Sequence, residues 1–237
     1  MRGLYIALEG PDGVGKSTQA VLLAAARDAA LTREPGGTAL GTYLRELLIY
    51  KNLWPNPRAE TLLFCADRAQ HIEEVVAVEL AKGRDVVTDR SYGSTLAFQG
   101  HARNLPIEEL SAVTMFAAAR PVHSISGYEL PDVIVPDVSV LLEAPYEVAR
   151  QRISGKRRDQ REGNQLALWH DRPSSAADLK DKFEHEGHRF WERVRQGYSM
   201  LCDAEPERWV RVDSTGSISE VAARVASAVA AHPAMRA

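Results

Sequence analysis

Residues 10–17 read GPDGVGKS, and this octapeptide decides the fold because it matches the pattern GxxxxGK[ST]. It follows a compact apolar run at residues 4–8 and precedes a stretch, residues 17–30, in which apolar residues recur at helical spacing. Between a strand and a helix, such glycines let backbone N–H groups converge on phosphate oxygens, and the helix start adds its positive dipole end. The sequence therefore predicts a phosphate-binding loop for a nucleoside triphosphate.

Two side chains of this loop have predicted chemical roles. Lys16 supplies a cation to the phosphates, and the Ser17 hydroxyl can ligate Mg²⁺. A glycine turn that binds nothing is the alternative, and the flanking strand and helix argue against it. We expect ATP and Mg²⁺ as the bound groups. The residues expected to hold the nucleotide are Gly10, Asp12, Gly13, Val14, Gly15, Lys16, Ser17 and Thr18.

The rest of the chain alternates between strand and helix patterns. Short apolar strands are predicted at 31–33, 85–88, 138–142 and 209–212, and helices at 40–49, 59–82, 146–153, 180–202 and from 218 onward. Such alternation is typical of an α/β protein with a parallel sheet, helices on both faces, and ligands at the carboxyl ends of the strands. We predict a single domain over residues 1–237, with a frayed tail at about 231–237.

Composition and charge narrow the class of protein. The chain has 237 residues, of which 45% are hydrophobic and 26% charged, and a net charge of −3 that disfavours nucleic acid as a partner. Its two cysteines, Cys65 and Cys202, are far apart and predict neither a disulfide framework nor a zinc site. The N-terminal apolar run is too short for a signal peptide or a membrane span. We expect a cytoplasmic protein with small-molecule partners.

Two segments interrupt the alternation. Residues 121–136 contain the near-duplicates PDVIV and PDVSV, whose prolines predict an extended loop. Residues 154–175 read SGKRRDQREGNQLALWHDRPSS, a polar and arginine-rich stretch without periodicity. This second segment is either a solvated surface loop or a mobile lid, which would cover about residues 154–180.

Three further segments accompany the phosphate loop: TREPGGT at 32–38, LLFCADRAQH at 62–71 and TDRSYGSTLAFQG at 88–100. Together the four segments resemble the thymidylate kinase family, which has the P-loop nucleoside monophosphate kinase fold. The resemblance is in register from residue 6 to about residue 99 and weakens through 120–136. It resumes at PDVSVLLEA, at the helix ending WERVRQGYSML and at VDSTGSISEV. It implies a homodimeric phosphotransferase that converts ATP and dTMP to ADP and dTDP.

Asp89 and Arg90 follow a predicted strand in the third of these segments. A carboxylate at that strand end can reach Mg²⁺ beside the phosphates, although an aspartate that caps the next turn is the alternative. The resemblance assigns Arg90 to the 5′-phosphate of the acceptor, which suits a planar bidentate donor. Arg45 resembles a second phosphate contact and could equally be an exposed helical arginine. Lys16, Asp89 and Arg90 are thus the predicted catalytic residues outside the lid.

Phe64 and Arg68 are four residues apart and therefore share one face of a predicted helix. The resemblance implies that Phe64 stacks on thymine and that Arg68 donates to a base carbonyl. The alternative is a core phenylalanine beside a surface arginine. The resemblance also implies that Phe98 crowds the ribose 2′ carbon and so excludes ribonucleotides. The alternative for Phe98 is ordinary packing within a helix. Further acceptor contacts implied by the resemblance are Asp12 (on the 3′-hydroxyl), Glu34, Ser94, Thr95 and Gln99.

The arginine-rich segment at residues 154–175 is, as stated above, either a solvated surface loop or a mobile lid. As a lid, it would deliver Arg157 or Arg158, with Arg161 and Arg172 nearby, to the charge that develops on the transferred group. The phosphate loop has no arginine where some family members have one, which favours arginine donation from the lid. The segment is longer than is usual for the family's bacterial lid.

Two other functions stay open at this point. The first is a kinase of the same fold that acts on another deoxynucleotide, such as a 5-substituted dUMP. The second is a P-loop switch or motor, which the absence of an NKxD motif disfavours.

Overall fold

A computed structural model of the chain describes residues 2–50, 55–119, 132–161 and 187–235. In this part, five parallel strands form one sheet of order β2-β3-β1-β4-β5. The predicted α/β class with a parallel sheet is confirmed, and each strand begins or ends within two residues of its prediction. The strands are β1 (Tyr5–Glu9), β2 (Ala30–Arg33), β3 (Val86–Asp89), β4 (Val138–Glu143) and β5 (Trp209–Asp213).

Helices cover both faces of the sheet. Three of them are extended at their carboxyl ends by wider π-helical turns, at Glu46–Tyr50, Ile72–Val76 and Leu96–Ala102. The α-helices are α1 (Lys16–Arg27), α2 (Ala39–Arg45), α3 (Pro57–His71), α4 (Ala77–Ala81), α5 (Tyr92–Thr95), α6 (Ile107–Ala117), α7 (Tyr146–Arg161), α8 (His188–Ala204) and α9 (Ile218–Ala231).

The central strand β1 is buried along its whole length because sheet and helices enclose both of its faces. Its side chains alternate between the faces, as the two-residue period of a strand requires. Ile6 and Leu8 pack with α1 and α9 in one core cluster. Tyr5 packs in another cluster, with residues of α4 and β3. The same alternation puts the carboxylate of Glu9 on the Tyr5 side, which is the side covered by α5 and α8.

The observed helices differ from the predicted ones at several points. The helices that cover residues 92–102 and 107–117 were not predicted, because their mixed polar and apolar residues give no clear period. The helix expected to end at residue 153 continues to Arg161, so the first eight residues of the expected lid are helical. Within the tail predicted at about 231–237, Pro233–Met235 form a 3₁₀ turn, and Ala234 and Met235 pack on the core.

Other predictions lie outside the described residues. These are the loop over most of 121–136, the rest of the lid at 162–180, and the first part of the helix predicted from 180. Within the described ranges, no helix is long and apolar enough to span a lipid bilayer. The carboxyl ends of β1, β2 and β3 lie side by side, and the phosphate loop, the EPGG turn and the Asp89-Arg90 pair follow them. The fold therefore brings three of the four sequence motifs to one edge of the sheet.

Candidate active site

The phosphate loop takes a backbone shape that its glycines allow. Gly10, Gly13 and Gly15 have φ angles of 135°, 86° and 102°, which residues with a side chain rarely adopt. A Cβ atom at Gly13 would also lie 2.4 Å from the carbonyl oxygen of Ala149, so the loop approaches α7 too closely for a side chain there. Helix α1 begins directly after Gly15, and its positive dipole end therefore lies at the loop.

Lys16 lies in the first turn of α1 and is only 6% exposed. Its ammonium donates to the carbonyl oxygen of Pro11 at 2.7 Å and lies 4.0 Å from the Asp12 carboxylate. Burial, and then the positive charge of Arg90, lower the pKa of Lys16 to about 8, although nearby carboxylates oppose this change. The lysine is thus a partly desolvated cation within the loop, as a phosphate ligand should be.

Ser17 and Asp89 meet across the loop as the sequence predicts. The Ser17 hydroxyl donates to Asp89 Oδ2 at 2.5 Å. The other oxygen, Asp89 Oδ1, is buried and has no hydrogen-bond partner in the described structure. Because an unpaired buried carboxylate oxygen is costly, this atom has the chemistry of a ligand position. A hydroxyl and a carboxylate oxygen are ligands that suit Mg²⁺.

Arg90 follows Asp89 with a φ angle of 77°, which turns the chain away from the sheet. Its guanidinium donates to the carbonyl oxygen of Gly10 and the Ser94 hydroxyl, both at 3.0 Å, and to the Tyr198 hydroxyl at 3.2 Å. It also forms an ion pair with Asp12. Burial lowers the pKa of Arg90, but Asp12 and other neighbours outweigh this and hold it above its ordinary value. The result is a permanently charged fork beside the phosphate loop.

Glu9, at the end of β1, organises the groups around Arg90. Its carboxylate is 1% exposed and accepts from the backbone N–H groups of Ser91 (2.9 Å) and Ser94 (3.2 Å). It also accepts from the Ser94 hydroxyl at 2.6 Å and the Tyr198 hydroxyl at 2.9 Å. Burial raises the pKa of Glu9, opposed by the Ser94 hydroxyl, Arg90 and Tyr198. Glu9 therefore fixes the start of α5 and both hydroxyls that receive Arg90.

Arg68, on the buried face of α3, contacts the glutamate of the EPGG turn. Its Nε and Nη2 atoms lie 2.9 Å and 2.8 Å from Glu34 Oε2, and Nη2 also donates to Thr95 Oγ1 at 3.0 Å. The remaining nitrogen, Nη1, is buried without a hydrogen-bond partner in the part of the chain that the structure covers. One nitrogen of a rigidly held guanidinium, with its two N–H donors, is thus left for a ligand.

Phe64 and Phe98 lie on different sides of this region. Phe64 shares α3 with Arg68, as predicted, and packs its partly buried ring against the core. Phe98 lies on the π-helical turn after α5, with the Arg90 guanidinium 5.0 Å from its ring centre. Gln99, next to it, donates its amide to the buried carboxylate of Glu60 at 2.8 Å.

These groups surround one cleft with about 1110 Å³ of empty volume, part of it open to solvent. Its lining includes phosphate-loop residues as well as Phe64, Arg68 and Gln99. The predicted residues that line it are Asp12, Gly13, Gly15, Lys16, Ser17, Glu34, Arg45, Phe64, Arg68, Asp89, Arg90, Ser94, Thr95, Phe98 and Gln99.

A few predicted residues do not line the cleft. The Val14 side chain is 1% exposed and packs in the core, so only its backbone can face a ligand. Gly10 contributes its carbonyl oxygen to Arg90, and Thr18 follows Ser17 in α1. Arg157 and Arg158 lie on the last turns of α7, and their side chains are outside what the structure describes.

Sequence reasoning missed several residues of this site. Tyr198 and Glu9 hold Arg90 in place, yet neither belongs to a motif with a recognised chemical role. Arg33 and Arg152 also line the cleft. Arg152 donates to the carbonyl oxygens of Val14 at 3.3 Å and of Ser214 at 2.8 Å, and so ties the phosphate loop to the turn after β5. In the sequence, the only indication of this contact is Arg152 itself, which lies four residues before the basic cluster that begins at Lys156.

The profile of the family described as thymidylate kinase matches residues 8–225 of this chain. The chain belongs to the thymidylate kinase family. The resemblance stated from the four motifs is therefore confirmed, and the described site occupies the matched region.

Individual thymidylate kinases are similar over almost their whole length. The proteins of that name from Synechococcus sp. (strain JA-2-3B'a(2-13)) and Clavibacter michiganensis subsp. michiganensis (strain NCPPB 382) are 38% and 36% identical, over 95% of this chain and 94% and 93% of theirs. The crystal structure of thymidylate kinase from Ehrlichia chaffeensis has a TM-score of 0.65 at 22% identity, with 97% of this chain and 99% of that chain covered. This structural match confirms the fold. The family match and the names of the similar proteins do not favour the P-loop switch or the 5-substituted dUMP kinase.

Proposed function

We propose that this thymidylate kinase family member transfers the γ-phosphoryl group of ATP to dTMP, and so forms ADP and dTDP. The observation that carries the proposal is one cleft that is lined by Lys16 and other phosphate-loop residues and also by Arg68, whose Nη1 is unpaired in the described structure. Two nucleotides can meet in such a cleft through their phosphates, with Arg90 between them.

The chain's own residues act by positioning and by charge. Backbone N–H groups of the loop and the Lys16 ammonium bind the triphosphate. Arg90 holds the 5′-phosphate of dTMP, whose ionised oxygen attacks the γ-phosphorus while the β–γ bridging oxygen leaves with ADP. Because that oxygen is already ionised, the reaction needs no general base. Catalysis then comes from aligned reactants and from cations fixed where negative charge develops.

The Ser17 hydroxyl and the Asp89 carboxylate would hold Mg²⁺, directly or through its waters. The unpartnered Asp89 Oδ1 supports this assignment. A bound Mg²⁺ supplies charge neutralisation at the β- and γ-phosphates.

The part of the cleft lining formed by Phe64 and Arg68 suits a thymine deoxynucleotide. Phe64 offers a ring face to the base, and Arg68 Nη1 offers a donor to a base carbonyl. Thr95 and Gln99 lie beside them, and Phe98 lies close enough to Arg90 to restrict the sugar of a nucleotide whose phosphate Arg90 holds. We expect Asp12 to accept from the acceptor's 3′-hydroxyl after the nucleotide displaces its ion pair with Arg90.

We also propose that the chain forms a homodimer through α2, α3 and α6. Helix α3 contacts both α2 and α6, and these helices expose large apolar side chains, including Tyr43 at 73% and Phe116 at 82%. Exposed apolar patches often mark an interface between proteins. Sedimentation velocity should give twice the 26.1 kDa mass of the chain.

Two free buried cysteines, Cys65 and Cys202, suit the reducing conditions of the cytoplasm, which is the location we propose.

The activity is tested by ADP release from ATP in the presence of dTMP. Lys16→Ala should reduce kcat at least a hundredfold, since a phosphate-bound cation stabilises the transition state by several kcal/mol, on the order of 3 or more. Lys82→Ala is the matched control, because Lys82 is 61% exposed and pairs only with Glu79 in the described structure. Activity of Lys16→Ala within tenfold of the parent would contradict the assignment of the phosphate loop.

A further inference from the structure

The guanidinium of Arg68 is held almost entirely by one carboxylate. Arg68 is 3% exposed, and Glu34 Oε2 receives both Nε (2.9 Å) and Nη2 (2.8 Å). Thr95 Oγ1 receives the second hydrogen of Nη2 at 3.0 Å. The direction in which the free Nη1 points is therefore set by the orientation of the Glu34 carboxylate.

That orientation depends in turn on His71. The other carboxylate oxygen, Glu34 Oε1, lies 2.9 Å from His71 Nδ1, and the opposite ring nitrogen lies 2.7 Å from Thr32 Oγ1. His71 is 0% exposed. Because a carboxylate only accepts, Nδ1 must carry the proton of this hydrogen bond. The ring is thereby fixed at both nitrogens, between α3 and the end of β2.

The ionised form of Glu34 is maintained by the same contacts. Burial raises the pKa of Glu34, but the charge of Arg68 and the hydrogen bond from His71 outweigh it, so the pKa lies below its ordinary value. If the donor at His71 Nδ1 were removed, Glu34 Oε1 would lose this hydrogen bond while it stays buried and anionic, which costs free energy. The carboxylate would then be held through Oε2 alone, and it could turn about that contact and change the direction of the Arg68 fork.

We infer that His71 is a positioning residue for the proposed reaction: through Glu34 it aims Arg68 Nη1 at the base of the nucleoside monophosphate. The inference rests on the proposed function, because it assumes that Arg68 reads the base. His71 lies three residues after Arg68, one helical turn away on the same buried face of α3. The relay Thr32, His71, Glu34, Arg68 therefore reaches the cleft through hydrogen bonds that are wholly buried.

Two substitutions separate this role from simple packing. The site around the ring is full, since a Cβ atom at Gly37 would lie 2.6 Å from His71 Cδ2, and neither asparagine nor glutamine is larger than histidine. The amide nitrogen of His71→Asn can occupy the place of Nδ1 and keep the bond to Glu34. The amide of His71→Gln reaches the place of Nε2 instead and loses that bond.

The experiment measures KM for dTMP, KM for ATP and kcat. His71→Gln should raise KM for dTMP about tenfold, as the loss of a hydrogen bond to a charged group predicts, while KM for ATP and kcat stay within about twofold. His71→Asn should restore most of the affinity. Gln70→Ala, on the same helix and outside the relay, is the matched control. Equal effects of the Asn and Gln variants, or equal changes in both KM values, would overturn the inference.

A double-mutant cycle separates this inference from the proposed function. Arg68→Ala alone should raise KM for dTMP, and His71→Gln should add nothing in that background. If Arg68→Ala changes nothing, reading of the base by Arg68 is wrong, and the inference falls with it. If Arg68→Ala has its effect but His71→Gln has none, only the positioning role is overturned. Should His71→Gln not fold, Thr32→Val decides: a rise of about threefold in KM for dTMP supports the relay, and no change contradicts it.

Discussion

Tyr198→Phe, which removes one hydroxyl group, should destabilise the protein more than the same substitution at an exposed tyrosine. Tyr198 is 0% exposed, and its hydroxyl contacts Ser94 at 2.7 Å, Glu9 at 2.9 Å and Arg90 at 3.2 Å. Phenylalanine keeps the ring packing, including the edge contact with Phe98 at 6.4 Å. The change therefore reports on the hydrogen bonds alone.

The expected magnitude follows from what the hydroxyl satisfies. Without it, the buried Glu9 carboxylate loses one of its donors and Arg90 loses one of its acceptors. Leaving buried charged partners in this state costs about 2 kcal/mol of unfolding free energy. For a chain of this size, that loss corresponds to a fall of about 4–8 °C in Tm.

The loss should also depend on pH. Burial already raises the pKa of Glu9, and Tyr198 is one of the groups that oppose this, so the variant should have a still higher pKa. When the folded-state pKa of an acid is raised, the native state binds more protons than the unfolded state, and stability falls as pH rises from the unfolded pKa to the folded pKa. The difference between variant and parent should therefore be larger at pH 7 than at pH 4.

Urea unfolding, followed by circular dichroism at both pH values, measures these changes. Tyr43→Phe is the control, because Tyr43 is 73% exposed. If Tyr198→Phe shifts the unfolding free energy by less than about 0.5 kcal/mol, or if its effect does not exceed that of the control, Glu9 and Arg90 do not depend on this hydroxyl and the account of the network is wrong.

Three further predictions concern the reaction itself. Since Lys16 has a pKa of about 8 and loses its charge as pH rises through that value, the Kd for ATP measured by titration calorimetry should increase between pH 7 and pH 9. Phe98→Ala should weaken discrimination against the ribonucleotide by about 1–3 kcal/mol, seen as a change in the ratio of kcat/KM values for dTMP and its ribose analogue; an unchanged ratio means that Phe98 only packs. The arginines of the predicted lid are to be replaced singly by alanine at Arg157, Arg158, Arg161 and Arg172. One or two of these substitutions should lower kcat by orders of magnitude with little change in either KM. If all four variants keep the kcat of the parent, the arginine-rich segment is a solvated surface.

The parts of the fold that the sequence predicts are those with a local cause. β1 is a continuous apolar run because both of its faces are buried, and the glycine loop after it has a recognisable spacing. Phe64 and Arg68 share a face of α3 simply because they are four residues apart. Such features depend only on near neighbours in the chain, so a sequence pattern is enough to identify them.

The parts that it does not predict depend on distant partners. Glu9 and Tyr198 are 189 residues apart, and nothing near either of them distinguishes a buried, fully bonded side chain from an exposed one. His71 belongs to a motif recognised only as part of the family pattern, while its role comes from contacts with Thr32 and Glu34. Phe98 lies on a π-helical turn, whose wider spacing the helical period of 3.6 does not describe.

The most direct test of the central claim is to identify the product and the preferred acceptor together. The purified protein is incubated with ATP, Mg²⁺ and, separately, dTMP, dUMP, dCMP, dAMP, dGMP and the ribose analogue of dTMP, and the nucleoside diphosphates are separated and quantified by chromatography. We predict stoichiometric ADP and dTDP with dTMP, and a kcat/KM for dTMP that exceeds that of each other acceptor by at least tenfold, about 1.4 kcal/mol. Equal or greater kcat/KM for another acceptor, or ADP release without a matching amount of dTDP, would contradict the account.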